Sequence, residues 1–200
     1  MSGLESVVGI DFGTKGSRIA IWRDSAVEIL SDDGNSEMES VISFTEESCT
    51  VGNLAASGKT NNPRNTVWGM KTLLGRAECE ISDLSYPFAT SSCGSNLKIN
   101  VEYRDENRSL APEEVSSMVL TKLVEIFESS QGTTLKGAVV SVPSSFKTQH
   151  RHALLDSCKV AGINVLQLIN NATAVALAHE VSDRKEGQRY VMVIDIGASY

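Results

Sequence analysis

The sequence is organised around Val7-Val8-Gly9-Ile10-Asp11-Phe12-Gly13-Thr14-Lys15-Gly16-Ser17-Arg18-Ile19-Ala20-Ile21-Trp22. Two apolar runs rich in β-branched residues flank a turn of Gly, Thr, Lys, Gly and Ser, and this pattern predicts a β-hairpin. Gly13 and Gly16 permit backbone conformations closed to other residues and let a ligand approach the main chain closely. The hairpin is therefore the first candidate for a binding site.

The chemistry of this turn is suited to phosphate. Successive backbone N–H groups in such a turn form a concave nest for phosphate oxygens. Asp11 closes the first strand, and a carboxylate beside a phosphate turn holds Mg²⁺ through water. The same residues also fit an ordinary hairpin with a polar turn, and the motif alone leaves the two interpretations open.

Composition narrows the class of protein. The 200 residues suffice for one full domain or two small ones, and 41% hydrophobic with 22% charged residues is typical of a soluble globular protein. The net charge is −7 and no Lys/Arg cluster stands out. These features argue against nucleic acid or an anionic membrane as the main partner.

The N-terminus carries no basic segment followed by an apolar run, so we predict a cytoplasmic protein, or one of the endoplasmic reticulum if a signal has been removed. Scattered thiols without C-x-x-C spacing indicate a reducing compartment; they are Cys49, Cys79, Cys93 and Cys158. His150 and His152 lie two apart on a predicted helix, so they face different directions and do not chelate one ion.

The region from about Ser40 to Leu110 has a different character. It is rich in Asn, Ser, Gly and Thr with weak periodicity, and it predicts a smaller α+β insertion. Gly52–Thr60 is not a P-loop, because five residues separate the glycines where the motif needs four, and Asn61-Asn62-Pro63 would break the helix. Lys59 is then a solvated surface lysine. Asn65–Arg76 is predicted to be a short helix, on which the residues alone favour Lys71 as another surface lysine.

The last third of the chain alternates helices and strands, which predicts an α/β layered fold. Pro112–Phe127 has the clearest helical periodicity, and Gly137–Pro143 is predicted to be a buried strand. Thr148 is placed to cap a helix that ends near Ala161. Val165–Ile169 is predicted to be a second buried strand, followed by Ala172–Ala178 as a helix buried between layers.

The end of the chain repeats its beginning. Ile194-Asp195-Ile196-Gly197 echoes Ile10-Asp11-Phe12-Gly13, so each apolar strand leads through an Asp into a glycine turn. Two such turns would hold a phosphate chain from two sides, with both carboxylates near the metal. The repetition favours nucleotide binding over an ordinary hairpin.

With these motifs in order, the chain resembles the heat-shock protein 70 (Hsp70) family of the actin-like ATPase superfamily, over essentially its whole length. Ordered matches of this kind are far more specific than any single motif. The matching segments are Val8–Ser17, Asn65–Arg76, Val139–Phe146, Arg151–Gly162, Leu168–Ala178 and Val193–Tyr200.

The resemblance implies an α/β, actin-like ATPase (ribonuclease H-like) lobe. Residues 1–39 and 111–189 would form subdomain IA, 40–110 the subdomain IB insertion, and 190–200 the first strand of a second lobe. Only the first lobe is then covered, so weak ATP binding and negligible hydrolysis are expected of this chain alone. Tyr190–Ile196 would be an unpaired apolar strand, disordered or paired with another molecule.

The resemblance also implies roles for residues. Lys71, Asp11 and Asp195 would be catalytic, with Lys71 reaching the γ-phosphate and the attacking water. Asp11 and Asp195 would hold hydrated Mg²⁺. Pro143 and Arg151 lie where the family's relay to its substrate domain begins. The residues expected to contact ATP or ADP are Gly13, Thr14, Lys15, Gly16, Gly197, Ala198 and Ser199.

Several positions depart from the family pattern. Lys15 replaces a threonine, Asn171 replaces a glutamate that orients metal and water, and Ala198 and Ser199 replace glycines. Some of these features are similar to the larger Hsp110-like and Grp170-like members, which resemble nucleotide-exchange partners more than cycling foldases.

The family likeness implies an ATP-dependent chaperone, whose full-length partners would be J-domain cochaperones, nucleotide-exchange factors or another chaperone, and unfolded clients. A non-catalytic regulator of a partner chaperone is the alternative. A sugar kinase on the same superfold is disfavoured, because nothing around Asp83, Asp105 or Asp156 marks a catalytic base beside a sugar pocket.

Overall fold

A computed structural model describes residues 6–77, 80–81, 85–93, 96–182 and 192–197. Twelve strands and four α-helices are assigned within these residues. The strands are β1 (Val7–Asp11), β2 (Gly16–Arg23), β3 (Ala26–Ile29), β4 (Met38–Glu39), β5 (Val41–Phe44), β6 (Cys49–Val51), β7 (Thr66–Trp68), β8 (Ala89–Cys93), β9 (Asn96–Tyr103), β10 (Glu106–Leu110), β11 (Gly137–Val142) and β12 (Val165–Asn170). The helices are α1 (Gly58–Asn61), α2 (Pro112–Gln131), α3 (Thr148–Val160) and α4 (Asn171–Ser182).

The main sheet is mixed and has the order β12-β11-β1-β2-β3, with β4 pairing with β2. The predicted hairpin is confirmed: β1 and β2 pair antiparallel, with Asp11 opposite Arg18. On its other side β1 pairs parallel with β11, and β11 pairs parallel with β12. A parallel pair needs a crossover, which α3 provides between β11 and β12.

One face of this sheet forms the core with α2 and α3. Side chains alternate along β1 and β2, so that Val8, Ile10, Ile19 and Ile21 are buried. The predicted α2 repeat is confirmed by the burial of Val119, Leu123 and Phe127, and the helix extends to Gln131. Because period 2 puts alternate residues on opposite faces, Asp11 and Arg18 lie on the face away from these buried residues.

The opposite face is only partly covered, which corrects two predictions. Neither β12 nor α4 is buried: Leu166 is 55% exposed, and Val175 and Leu177 are 43% and 50% exposed. Trp22 and Val27 on β2 and β3 are also exposed. The sequences are apolar as predicted, but no described element packs over these side chains.

Between β4 and α2 the chain builds two three-stranded sheets, β6-β5-β7 and β10-β9-β8. These sheets and the short α1 are the α+β structure expected for the region. The Gly58-Lys59-Thr60 segment lies in α1, which is only four residues long, and Lys59 Nζ pairs with Glu39. Lys59 is therefore partly buried in an ion pair rather than fully solvated.

The predicted helix over Asn65–Arg76 is wrong. Thr66–Trp68 forms β7 against β5, and a 3₁₀ turn over Met70–Thr72 follows Gly69, whose φ is 67°. The apolar positions at helical spacing are indeed buried, but a strand followed by a tight turn buries them. Because sheet pairing satisfies the backbone here, the helical period did not decide the structure.

At the helix ends the predictions are close. The residue before α3 is Lys147, so Thr148 is its first residue rather than its cap, and Gly162 takes φ of 74° just beyond the end. Of the predicted strand Tyr190–Ile196, Tyr190 and Val191 lie outside the described residues. Met192–Ile196 forms no strand, and Met192, Ile194 and Ile196 are strongly exposed. Among the described helices, none combines the length and hydropathy needed to cross a bilayer.

Candidate functional site

Asp11 stands at the carboxyl end of β1, between two strands that orient its carboxylate. Ser141 of β11 is its parallel partner, and the Ser141 hydroxyl donates to Asp11 Oδ1 over 3.0 Å. On the other side, Arg18 Nη1 lies 3.9 Å from Asp11 Oδ2. One oxygen of the Asp11 carboxylate therefore lies beside a hydroxyl and the other beside a guanidinium. The strand register places both partners.

The turn after Asp11 is held by two fully buried serines. The Gly13 N–H donates to Ser17 Oγ over 3.2 Å, and Ser40 Oγ donates to the Gly13 carbonyl over 2.8 Å. The two hydroxyls are 2.8 Å apart, and the Ser40 N–H donates to the Lys15 carbonyl. The turn is thus a braced element rather than a loose loop.

Both glycines of this turn lie at close approaches, but only at Gly13 is the neighbouring atom part of the backbone and unable to move aside. A Cβ on Gly13 would lie 2.1 Å from the carbonyl oxygen of Gly16. A Cβ on Gly16 would overlap the carboxylate end of Glu37. The absence of side chains at these positions lets the turn close and lets Glu37 pack against it.

Lys71 reaches the site from the 3₁₀ turn over Met70–Thr72. The left-handed Gly69 redirects the chain after β7, and Thr72 Oγ1 donates to the Gly69 carbonyl over 2.7 Å. The Tyr86 hydroxyl oxygen lies 2.7 Å from Thr72 Oγ1. Met70, the residue before Lys71, is completely buried. These contacts hold Lys71 in place and explain why a lysine on a short turn is inside the protein.

Lys71 is only 5% exposed, and within the described residues it forms no ion pair. Burial lowers the pKa of its ammonium group, while the charges of Asp11 and Asp195 act in the opposite direction. Its Nζ lies 5.8 Å from the centre of the Phe146 ring. A buried cation near two carboxylates is the pattern of a functional group rather than of a surface lysine.

Asp195 lies near the start of α4. The Asn171 amide donates to Asp195 Oδ2 over 3.3 Å, and Asn171 Oδ1 is buried without a hydrogen-bond partner among the described residues. The charges of Asp195 and Asp11 both act to raise the pKa of Lys71, so both carboxylates lie within electrostatic reach of this lysine. The carboxylate side of the site thus draws on β1 and on the segment 192–197.

Arg151 of α3 connects the strand ends around this region. Its Nε donates to the Phe146 carbonyl over 3.0 Å, and its Nη2 donates to Asn170 Oδ1 over 2.8 Å. Phe146 faces Lys71, and Asn170 precedes Asn171. Arg151 therefore positions Phe146, which contacts Lys71, and Asn170, which precedes Asn171.

The remaining predicted residues have separate surroundings. Lys15 lines a cleft of about 390 Å³ together with Glu37, Glu39 and Asn53, so its surroundings are acidic. Thr14 belongs to the turn, and Gly197 is exposed. Ala198 and Ser199 lie outside the described residues.

Three neighbours of the site were missed by sequence reasoning: Ser141, Arg18 and Phe146. Ser141 and Arg18 are cross-strand partners of Asp11, so strand pairing was the signal that would have found them. Phe146 follows the predicted strand and comes near Lys71 only through the tertiary fold.

The donor set is compatible with a hydrated divalent ion. Asp11 and Asp195 offer the hard oxygen ligands that Mg²⁺ prefers, from two separate segments. Across the described ranges, no group of three or more His, Cys, Asp or Glu side chains clusters as a metal site. Two carboxylates alone fit an ion held largely by water and phosphate rather than by a protein cage.

A mixed sheet that packs against α2 and α3, with a braced glycine turn at the end of its first strand, is the architecture expected of an α/β lobe of the actin-like ATPase class. A family model described as "Hsp70 protein" matches residues 7–200. The chain belongs to the Hsp70 family, and the resemblance noted from its motifs is confirmed.

Curated relatives agree with this assignment. "Heat shock 70 kDa protein 2" of Paracoccidioides lutzii is 40% identical over 95% of this chain, which covers 30% of the relative. "Putative heat shock 70 kDa protein 7" of Homo sapiens is 40% identical over 96% of this chain and is 54% covered. A ribosome-associated molecular chaperone of Saccharomyces cerevisiae is 36% identical over 96% of this chain and is 32% covered. The chain thus spans about a third of the two fungal relatives and about half of the human one.

Proposed function

We propose that this chain is the ATP-binding lobe of a divergent Hsp70-type chaperone, which uses ATP, ADP and Mg²⁺ in the folding of unfolded clients. The observation that carries the proposal is the grouping of Asp11, Lys71 and Asp195 beside the braced Gly13–Gly16 turn. Two carboxylates, a buried lysine and a glycine turn are the parts that bind and activate a phosphate chain.

The proposed division of the chain follows the sheets. Residues 1–39 and 111–189 form the ribonuclease H-like subdomain IA, because the main sheet takes its strands from these segments. Residues 40–110 form subdomain IB with the two small sheets, and 190–200 begin the second lobe. The nucleotide then lies where the end of β1, the Lys71 turn and the segment 192–197 meet.

The residues would divide the work as follows. Lys71 stabilises negative charge on the terminal phosphoryl group and on the attacking water, since its ammonium group is buried and water-poor. Ser141 fixes one oxygen of Asp11, while Asn171 orients Asp195. Asp11 and Asp195 would hold Mg²⁺ through water, and the ion would supply positive charge that neutralises the phosphates.

The turn residues would contact the phosphates mainly through the backbone. Gly13 and Gly16 keep the turn narrow. Thr14 and Lys15 lie between them at the tip of the turn. Gly197, Ala198 and Ser199 are proposed to contact the phosphates from the opposite side. In this scheme the N–H of Gly13 serves the turn itself, because it donates to Ser17.

The partners and setting are proposed from the family. A protein of this type would work with J-domain cochaperones and nucleotide-exchange factors, in the cytoplasm. The two described free cysteines, Cys49 and Cys158, support a reducing compartment.

One observation favours a second candidate, a non-catalytic regulator of a partner chaperone. The side chain beside Asp195 is the amide of Asn171, which donates a hydrogen bond and cannot act as a base. A site of this kind could retain nucleotide as a structural ligand while turnover is lost.

A single-turnover ATPase assay separates the two candidates. The protein at its natural length is compared with its Lys71→Ala variant, and Lys59→Ala serves as a matched lysine outside the site. A rate that depends on Lys71 but not on Lys59 supports the enzyme. Nucleotide binding without turnover supports the regulator, and absence of binding in a folded protein contradicts both.

A further inference from the structure

Arg18 is a cation at the site that the predicted set of nucleotide-binding residues does not include. It is the antiparallel partner of Asp11, and its Nη1 lies 3.9 Å from Asp11 Oδ2. The two side chains are 43% and 48% exposed, so a ligand in solution has access to both. The guanidinium stands on the same face of the sheet as the carboxylate.

A second carboxylate holds this guanidinium in position. Arg18 Nη2 donates to Glu37 Oε2. Glu37 packs against Gly16, where a side chain of any size would displace it. Arg18 is therefore bound between Asp11 and Glu37, beside the glycine turn proposed to hold phosphate. The planar fork of a fixed guanidinium suits phosphate oxygens.

The protein already places two cations, Lys71 and Arg18, among the carboxylates of the cleft, and Arg18 also pairs with Glu37. Asp11 and Asp195 are accompanied by Lys71 and Arg18, and the position beside Asp195 carries the neutral amide of Asn171. A cation next to Asp11 lowers the attraction of this carboxylate for a divalent ion. The same cation is available to neutralise phosphate charge.

We infer that Arg18 takes over part of the charge neutralisation that a divalent ion supplies, so that this lobe binds nucleoside triphosphate without a strict requirement for Mg²⁺. The inference rests on the proposed nucleotide site and specifies its metal dependence. Asp11 and Asp195 would still hold Mg²⁺, but more weakly than they would without Arg18.

The test measures ATP binding by the 200-residue chain in excess EDTA and in excess Mg²⁺, with amide NMR shifts as the readout because they follow weak binding. The wild-type dissociation constant is expected to rise by no more than about tenfold when Mg²⁺ is removed, an effect of one modest charge interaction. Arg18→Met is expected to weaken binding in EDTA by about fivefold or more and to change binding in Mg²⁺ less.

Arg23→Met is the matched control. Arg23 lies on the same strand, is 49% exposed and pairs with Glu28 over 3.2 Å, so its loss removes a comparable ion pair away from Asp11. It is expected to leave both dissociation constants unchanged. A parallel titration with Mg²⁺ alone is expected to show tighter metal binding by Arg18→Met than by the wild type.

The outcomes distinguish this inference from the proposed function. Binding that needs Mg²⁺ and is unaffected by Arg18→Met overturns the inference and leaves the nucleotide site standing. No ATP binding by folded wild type in either buffer overturns both. Circular dichroism melts establish that each variant is folded, and Arg18→Gln, which removes the charge but keeps a polar side chain, replaces Arg18→Met if that variant is not.

Discussion

Replacing Lys71 by Met tests whether this lysine is held in the protein at an energetic cost. Its side chain is 5% exposed and burial lowers its pKa, so the charged form is less stable here than in water. Met fills similar volume and carries no charge. We expect Lys71→Met to stabilise the folded chain.

The magnitude follows from three contributions. Replacing a buried ion pair by apolar side chains of similar volume is neutral or stabilising by about 1–4 kcal/mol, and a single buried cation carries part of the same desolvation cost. The lost contact with the Phe146 ring costs about 1 kcal/mol. Asp11 is half-exposed and Asp195 is exposed, so leaving them without Lys71 costs little. The net expectation is a gain of about 1 kcal/mol, or roughly 3 °C in Tm for a chain of this size.

The pH dependence gives a second, sharper signature. Because the pKa of Lys71 is lowered from its ordinary value of 10.5 on folding, the unfolded chain binds this proton more tightly. Between the folded and unfolded pKa values the unfolded state carries more protons, so the free energy of unfolding rises with pH in that window. Below the folded pKa both states are protonated and the full cost of burial remains. The advantage of Lys71→Met is therefore largest at neutral pH and shrinks as pH approaches 10.5.

Urea denaturation measures the free energy of unfolding of the wild type and of Lys71→Met at neutral pH and near pH 10. A difference of ~1 kcal/mol appears in this experiment as a shift of the urea midpoint. Lys59→Met controls for loss of a lysine in a partly exposed ion pair, and it is expected to change stability by less than about 1 kcal/mol. The reasoning is refuted if Lys71→Met destabilises the chain, or if its effect is the same at both pH values.

Three further predictions concern the turn, the core and the thiols. Gly13→Ala is expected to destabilise the chain by about 2 kcal/mol or more in the same urea titration, since its Cβ would lie 2.1 Å from a carbonyl oxygen. Gly9→Ala, in β1 just before this turn, meets no atom within 4 Å and is expected to be neutral or slightly stabilising. Leu154→Ala, at a fully buried position of α3, is expected to lower the free energy of unfolding by about 2–5 kcal/mol. Leu54→Ala, at a position that is 78% exposed, is expected to lower it by less than about 0.5 kcal/mol. Equal shifts in Tm for the two variants would contradict the assignment of Leu154 to the core. Burial raises the pKa of Cys158 to about 12, so alkylation by iodoacetamide at pH 8, followed by mass spectrometry, is expected to label Cys158 only after denaturant is added.

Much of the local structure was predictable because the periodicity that encodes it is strong. The alternation around Gly13–Gly16 predicted the hairpin, and the apolar repeat after Pro112 predicted α2. Asn65–Arg76 was predicted wrongly because its apolar residues are buried at helical spacing by a strand and a tight turn. The pattern therefore predicted correctly which residues of this segment are buried. The backbone conformation was determined instead by the pairing of β7 with β5.

The burial of β12 and α4 was overestimated for a different reason. Apolar residues are more stable when buried, but Leu166 and Leu177 are buried only if another element packs against them. Within the described residues no element does so. Periodicity therefore predicts the two elements and their order, and the packing partner decides how deeply they lie.

At the site, the sequence alone determined Asp11 and the glycine turn, because strand, carboxylate and turn are contiguous and their chemistry is local. Only the tertiary structure decided the rest. Ser141 reaches Asp11 across 130 positions of sequence through parallel strand pairing, and Lys71 becomes a buried cation only when the Met70–Thr72 turn folds towards the two carboxylates. Contacts between distant segments depend on register and packing, which no single stretch of residues encodes.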